Sequence, residues 1–224
     1  MTLADFIAEF RAQRGDSALD YLWSDDEIRT YLNSAVDEVC ERALLLEDRS
    51  TPDCTQITLI AGQANYVLHP ATIKVKRITY AGKAITETSV ESLDSDDPQW
   101  ELRTGTPTEY VLTGTTGLRL IPTPTTASVA VTNKIYLTIY RTQLEMFTES
   151  SSDAEAPEVP AIYHLRMMNW IYRCALLKTD AETFNKIKAS EYEAIFEGDF
   201  GVRPDANVQR KRRDKRLPVT VMHW

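Results

Sequence analysis

Residues 23–43 read WSDDEIRTYLNSAVDEVCERA, and this stretch decides how the first half of the 224-residue chain is organised. Ser24 stands where a helix N-cap accepts backbone N–H groups, and Glu27, three residues later, completes a capping box. The two aspartates between them add negative charge at the positive end of the helix dipole. Apolar residues then recur at helical spacing: Ile28, Leu32, Ala35, Val36, Val39 and Ala43. The pattern predicts a helix from about Asp25 to Leu46.

Helical patterns also occur on both sides of this stretch. Leu3–Gln13 repeats an apolar face before a glycine, which predicts a short first helix. A third helix is predicted from Pro160, a residue tolerated in the first turn, to about Lys178. Because it is apolar around much of its circumference, we expect it to lie centrally; its apolar residues are Ile162, Leu165, Met168, Trp170, Ile171, Ala175 and Leu176. A fourth helix is predicted from an Asp180 cap to Gly198, with these side chains directed inward: Phe184, Ile187, Ala189, Tyr192 and Phe196.

Between the helices, residues 55–142 change to short runs rich in β-branched and aromatic residues, a composition typical of strands. Strands are predicted at 56–59, 65–68 and 73–80, followed by a short helix capped by Ser89. A hairpin is predicted from residues 109–112 and 118–121, which flank a turn with two glycines. Residues 134–142 alternate cleanly between apolar and polar side chains, which predicts one strand of a small antiparallel sheet.

This order of helices, strands and helices predicts an α+β protein. We expect an antiparallel bundle of about four helices with an inserted small antiparallel β domain and an extended C-terminal tail. The predicted boundaries are 1–54 for the N-terminal helices, 55–143 for the β domain, 144–200 for the C-terminal helices and 201–224 for the tail.

Composition argues against several classes of protein. The chain is 43% hydrophobic and 26% charged, which lies in the globular range. No apolar run approaches the roughly 20 residues of a bilayer span, and charges within the N-terminal segment argue against a signal peptide. Three separated cysteines predict free thiols. Without a phosphate-loop, dinucleotide, nucleophile-elbow or zinc-protease motif, we predict no cofactor, no metal and no catalytic residue.

Individual residues that often carry chemistry have simpler structural interpretations here. His69 precedes a proline and is expected in an exposed turn, whereas His164 is expected to cap or pack within the third helix. Cys174 falls in a buried-looking helix, where an inert thiol is the default. The acids of residues 94–97 suggest a solvated loop rather than a calcium site, because no glycine stands where a calcium loop needs it.

The last 24 residues differ in charge from the rest of the chain. They hold seven Lys or Arg against two Asp, a net charge of +5, which leaves −13 for residues 1–200 of a chain whose total is −8. Basic runs bind phosphates, and inert solubilising tails have a similar composition. The segment ends, however, in apolar VTVMHW, and Trp and Arg are preferred anchors at protein interfaces. Docking on a protein partner, a nucleic-acid arm and an inert tail all stay open, and docking fits the composition best.

Three motifs occur in an order that resembles a known family. Residues 23–27, WSDDE, match a W-[ST]-D-x-E helix start, and residues 105–124 contain G-x-P-x-x-Y followed by L-x-L-x-P-x-P. A strand ending in Tyr140, an acidic loop, a Pro-led helix and a last helix follow. In this order, residues 3–197 resemble the head-to-tail adaptor, or connector, proteins of tailed bacteriophages.

The resemblance implies a virion structural protein at the head–tail junction, assembled in the host cytoplasm and not in a membrane. It implies a homo-oligomeric ring, commonly of twelve copies, seated between the portal protein ring and a downstream tail or nozzle protein. The helices would contact neighbouring subunits, and double-stranded DNA would pass through the lumen without sequence recognition. The C-terminal segment would reach the portal through Arg210, Arg212, Arg213, Arg216 and Trp224. An acidic body would let DNA slide without sticking.

Two other functions stay open from the residues alone. A nucleic-acid-binding module that uses the basic C-terminal arm would show DNA affinity that falls steeply with salt. An enzyme, for example a carboxylate-based hydrolase of the cell wall, has little specific support, because paired acids are easily found among 33 Asp and Glu.

Overall fold

The chain divides into two compact units. The computed structural model describes residues 1–16, 21–179 and 183–205. The helical unit contains residues 1–46 and 141–203, and the β unit contains residues 47–140, with which Pro204 and Asp205 are grouped.

Within the described ranges the chain forms seven α-helices and two 3₁₀ segments. In chain order the α-helices are α1 (Leu3–Arg14), α2 (Asp25–Ala43), α3 (Pro52–Thr55), α4 (Val90–Asp96), α5 (Thr126–Val131), α6 (His164–Leu176) and α7 (Lys186–Phe200). The 3₁₀ segments are η1 (Trp100–Leu102) and η2 (Ala161–Tyr163). None of the helices in these ranges combines the length and apolarity that a membrane span requires.

Reciprocal caps begin the first two helices. The predicted Ser24 cap is confirmed, since Ser24 Oγ accepts from Glu27 N–H at 3.2 Å while Glu27 Oε2 accepts from Ser24 N–H at 2.9 Å. Thr2 and Asp5 form the same arrangement at the start of α1. Helix α2 ends at Ala43, earlier than predicted, because Leu44 adopts a left-handed conformation with φ 51°. Its N–H bonds the Cys40 carbonyl, as at a helix C-cap.

Helix α6 packs against both α2 and α7, as its apolar circumference predicted. Its Trp170 donates from Nε1 to Ser34 Oγ at 3.0 Å, and the Trp170 ring lies 5.0 Å from that of Phe196. Phe10 of α1 meets the edge of the buried Trp23 ring at 5.4 Å. Burial of each such side chain stabilises the unit by about 1.5–3 kcal/mol, so these aromatic contacts hold the four long helices together.

The β unit contains one curled eight-stranded sheet and a separate two-stranded sheet. Its strands are β1 (Glu47–Asp48), β2 (Gln56–Thr58), β3 (Asn65–Val67), β4 (Thr72–Tyr80), β5 (Lys83–Glu87), β6 (Thr104–Gly105), β7 (Glu109–Thr113), β8 (Gly117–Ile121), β9 (Thr123–Pro124) and β10 (Lys134–Arg141). The large sheet has the order β1-β10-β4-β5-β7-β8-β3, with β2 also paired to β10, and β6 pairs with β9. The predicted hairpin is confirmed as β7 and β8, in which Leu112 lies opposite Leu118.

The inner face of this sheet forms an apolar core to which β10 contributes Ile135, Leu137 and Ile139. A second small cluster joins Leu93 of α4 and Trp100 of η1 to β7 and β8. Helix α4 and the 3₁₀ segment η1 therefore cover part of the sheet, and these apolar contacts are made within the β unit.

The prediction of a four-helix bundle with a small inserted β domain is wrong, although the protein is α+β. The large sheet has eight strands because β1 and β5 join the six that the sequence predicted, and β6 and β9 form the separate small sheet. Of these unpredicted strands, β1, β6 and β9 have two residues each. Strands of this length are too short to show a side-chain alternation. Helices α3 and α5 were missed for the same reason, since four and six residues carry little periodicity.

The fourth predicted helix also differs in its bounds. Helix α7 begins at Lys186 after an Asn185 cap, and it continues through Gly198 to Phe200. The predicted Asp180 cap lies outside the described residues. Before α6, the predicted helix begins as the 3₁₀ segment η2.

Candidate interaction surfaces

The predicted portal-binding residues all belong to the C-terminal tail. They are Arg210, Arg212, Arg213, Arg216 and Trp224, and they lie outside the described residues, so this site stays a prediction. The structure follows the tail as far as Asp205.

The first residues of the tail are attached to α2. Gly201 has φ 88°, a conformation that favours glycine, and its carbonyl accepts from Arg42 Nη1 at 3.2 Å. The guanidinium of Arg203 lies 3.5 Å from the Glu38 carboxylate and 3.6 Å from that of Glu41. The tail therefore leaves α7 at a place fixed by the C-terminal half of α2.

Arg42 is a buried cation at the centre of this attachment. Its side chain is 2% exposed, and its Nε donates to Glu38 Oε2 at 2.8 Å. Its guanidinium carbon lies 5.1 Å from the ring centroids of both Trp170 and Phe196. A buried charge requires such partners, because removing one leaves an uncompensated charge.

The histidine of α6 has a structural role, as the sequence predicted. His164 is buried, and its Nε2–H donates to the Val159 carbonyl at 2.7 Å. Because that carbonyl can only accept, Nδ1 carries the lone pair and accepts from the Met1 amino group at 2.9 Å. Burial lowers the pKa of His164, so the folded chain keeps the ring neutral.

The cysteine thiols also have inert surroundings. Burial raises the pKa of Cys40 to about 12 and raises that of Cys174 as well. Thiols with raised pKa values carry little thiolate and are poor nucleophiles. Within the described residues, none of the three cysteines forms a disulfide bond.

The acids of residues 94–97 stabilise the loop after α4. Asp94 accepts from Trp100 Nε1 at 2.8 Å, and Asp97 accepts from Arg103 Nε at 2.7 Å. The Asp97 pKa is lowered, first by the hydrogen bond from the Gln99 backbone and then by that from Arg103. In the part of the chain that the structure describes, no cluster of His, Cys, Asp or Glu could hold a metal ion.

Several apolar side chains of α7 and of the start of α6 point outward, contrary to prediction. Ile162 and Leu165 are 72% and 65% exposed, and Ile187 on α7 is 77% exposed. A shallow groove runs along the outward side of α7, lined by Lys186, Ile187, Ser190, Glu191 and Ala194. The spacing of apolar residues did not distinguish the outward side of α7 from its buried side, because both sides carry apolar residues. Ala189 and Phe196 lie on the buried side.

A second exposed surface, the basic sheet face, lies on β4 and β10, which are neighbours in the sheet. We define it by six residues: Lys74, Lys76, Arg77, Lys134, Tyr136 and Tyr140. In β4, Lys74, Lys76 and Arg77 are exposed, whereas Val75 and Ile78 are buried in the apolar core. In β10 the alternation places Tyr136, which is 48% exposed, on the face opposite the apolar core.

Contacts between side chains fix two of these cations. Lys76 Nζ lies 2.6 Å from Glu47 Oε2 and 5.6 Å from the Tyr140 ring centroid. Lys134 Nζ donates to Gln56 Oε1 at 2.8 Å. The hydrogen bond from Lys76 lowers the pKa of Glu47, which stays ionised beside the cation.

The alternation of apolar and polar residues in β10 was predicted from the sequence, but no function was predicted for its polar side. The signal that could have found the surface is the run Lys74-Val-Lys-Arg77, in which cations flank an inward valine. Only the pairing of β4 with β10 brings this run beside the tyrosines, and strand order is not visible in the sequence.

Comparisons with known proteins identify the family of the chain. A search of curated proteins found no match. The family model described as SU10 adaptor protein matches residues 1–221, nearly the whole chain. The chain therefore belongs to the SU10 adaptor family, and it is a phage structural adaptor that associates with other head or tail proteins of the virion.

Proposed function

We propose that this adaptor forms a ring between the portal and the tail of the virion and that DNA passes through the lumen of the ring. The observation that carries this proposal is the exposed apolar side of α7, together with the family match over residues 1–221. Its groove is lined mainly by apolar and small side chains, which let another helix approach closely. The proposed contact is heterologous, and such a contact forms a ring when the rotation between successive copies closes.

The contact between copies is tested by a charge on the outward side of α7. Ile187→Glu should reduce the mass of the assembled ring, measured by light scattering alone and after mixing with portal rings. Val131→Glu is the matched control, since Val131 is 71% exposed in the β unit. If both variants assemble as the wild type does, α7 does not form the subunit contact.

We further propose that the tail of residues 201–224 docks on the portal through Arg210, Arg212, Arg213, Arg216 and Trp224. The attachment of Gly201 and Arg203 to α2 supports this role, because it fixes where the tail starts. Removal of residues 206–224 keeps that attachment and should leave a folded protein that does not join portal-containing heads. Heads that take up the truncated and the full chain equally would exclude tail docking.

The nucleic-acid alternative rests on the cations of the tail, six of which lie within residues 206–224. It predicts that the truncated chain loses the salt-sensitive DNA binding of the full chain. Head attachment and DNA binding, measured on the same two proteins, therefore separate the two roles of the tail.

A further inference from the structure

The basic sheet face concentrates positive charge within the β unit. Its four cations lie on two neighbouring strands. Among the described residues, Lys74 and Arg77 have no ion-pair partner. The strands β1, β2, β4 and β10 contain only two acids, Glu47 and Asp48. Asp48 is buried, where it accepts hydrogen bonds from Ser50 and Thr51, so Glu47 alone offsets the outward cations.

The acids of the β unit lie elsewhere. Residues 47–140 contain ten Asp or Glu, and six of them fall within residues 87–101, on the end of β5, α4 and η1. Those helices pack on β7 and β8 through Leu93 and Trp100. The unit contains eight Lys or Arg, and four of them lie on the basic sheet face, away from the six clustered acids. A face of this kind attracts an anionic polymer even when the whole chain is acidic.

The neutral side chains of this face also suit a phosphate backbone. Tyr136, Thr138 and Tyr140 alternate along β10 and present hydroxyl groups beside the cations. Hydroxyl, lysine and arginine side chains make most protein contacts to DNA phosphates, and these contacts carry no sequence information. The face therefore offers both cations and hydroxyl groups to a phosphate backbone.

We propose that the basic sheet face binds the phosphate backbone of duplex DNA. The inference rests on the proposed passage of DNA through the ring and names the surface of the β unit that meets it. Contacts with few phosphates are weak and independent of sequence, as a polymer that must move past the protein requires.

The test measures binding of the full chain to a fluorescent mixed-sequence duplex as NaCl is raised from 50 to 200 mM. The triple variant Lys74→Gln, Arg77→Gln, Lys134→Gln should reduce the slope of log affinity against log salt by about 2.7, or 0.9 for each lost phosphate contact. Over this salt range the wild type should therefore lose about 40-fold more affinity than the variant.

Three further variants make the result specific. Arg29→Gln, Arg166→Gln, Lys188→Gln removes the same charge from the helical unit, outside the α7 groove, and should leave the slope unchanged. Glu47→Gln removes the offsetting carboxylate and should tighten binding, with a slope steeper by about 0.9, a gain that misfolding cannot produce. A tail triple, Arg210→Gln, Arg212→Gln, Arg213→Gln, measures the separate contribution of the tail.

The inference is overturned if the sheet triple has the slope of the helical-unit control, or if the wild type does not bind the duplex at 50 mM NaCl. It is also overturned if the sheet triple binds DNA normally but no longer forms oligomers, because the face would then contact a second copy. Head attachment, assayed in parallel, separates the two proposals. A lower slope in the sheet triple, together with normal attachment of the wild type to heads, supports both the DNA-binding face and the ring between portal and tail. The same lower slope supports only the DNA-binding face if the wild type does not attach to heads.

Discussion

Arg42 joins three parts of the helical unit through one buried side chain. It bonds Glu38 within α2, the Gly201 carbonyl at the start of the tail, and the faces of two aromatic rings from α6 and α7. A residue of this kind is not visible in the sequence, where Arg42 looks like a solvated charge on the polar side of α2. Burial converts it from a solubilising residue into a structural one.

Arg42→Ala should lower the free energy of unfolding by about 3 kcal/mol, because it removes the buried cation beside Glu38 and leaves only the exposed Arg203 near that carboxylate. Arg166→Ala is the matched control: Arg166 is 50% exposed and lies 3.5 Å from Asp199. Its loss should cost less than about 1 kcal/mol. Urea unfolding of both variants measures the difference, and equal losses would contradict a structural role for Arg42.

His164 should make the helical unit less stable in mild acid. Burial lowers its pKa, so below the ordinary histidine value of about 6.5 the unfolded chain binds a proton that the folded chain does not. Stability from this group is complete above that value and is lost as the pH falls towards the lower folded pKa.

We therefore expect urea unfolding to show a drop in stability between pH 7.5 and 5.5 that is smaller in His164→Gln. Asn33→Ala is the control, because it removes hydrogen bonds to the Phe147 backbone without removing a titrating group. A pH slope in His164→Gln as steep as that of the control would exclude His164 as its source.

Among the elements, those with strong local signals were predicted and the others were not. The cap at Ser24, the start of α1 and the β7–β8 hairpin follow from neighbouring residues alone. Strand β5 was missed although it pairs with β4 across the two-residue turn of Ala81 and Gly82. Its second pairing, parallel to β7, depends on residues further along the chain. The number of strands in the sheet could not be predicted, because pairing with residues far away in the sequence leaves no local signal.

Ser24→Ala should lower the free energy of unfolding by about 1 kcal/mol, because the Glu27 N–H loses its acceptor at the start of α2 and the reciprocal hydrogen bond is weakened. Thr30→Ala is the control on the same helix, because the Thr30 hydroxyl only bonds the Asp26 carbonyl on the exposed side. That change should be neutral or slightly stabilising. Thermal unfolding that ranks the two variants in the opposite order would contradict the capping argument.

On the scale of the whole molecule, the two ends of the segment 47–140 leave the helical unit at neighbouring residues. The Arg141 N–H donates to the Leu46 carbonyl at 3.0 Å, and the next residues inward, Glu47 and Tyr140, lie opposite each other in the pairing of β1 with β10. The interaction surfaces are divided in the same way: the exposed side of α7 belongs to the helical unit and the basic sheet face to the β unit.

A fragment of residues 47–140 should therefore fold alone, with a cooperative thermal transition in circular dichroism. Its ends are paired in the sheet, and its core is formed by its own residues. Residues 47–133, which lack β10, are the control and should not fold, because β1, β2 and β4 all pair with that strand. A fragment 47–140 without a cooperative transition would show that the β unit depends on the helices.

The hydrogen bond between Leu46 and Arg141 also has a consequence for how such adaptors change over time. Leu46 and Arg141 are held together by this hydrogen bond whatever segment connects them. Gaining, losing or exchanging residues 47–140 therefore adds little loop-closure entropy. Recombination between phages can replace residues 47–140 in one event, and the helical unit can gain a β unit of new binding specificity without changing its own packing.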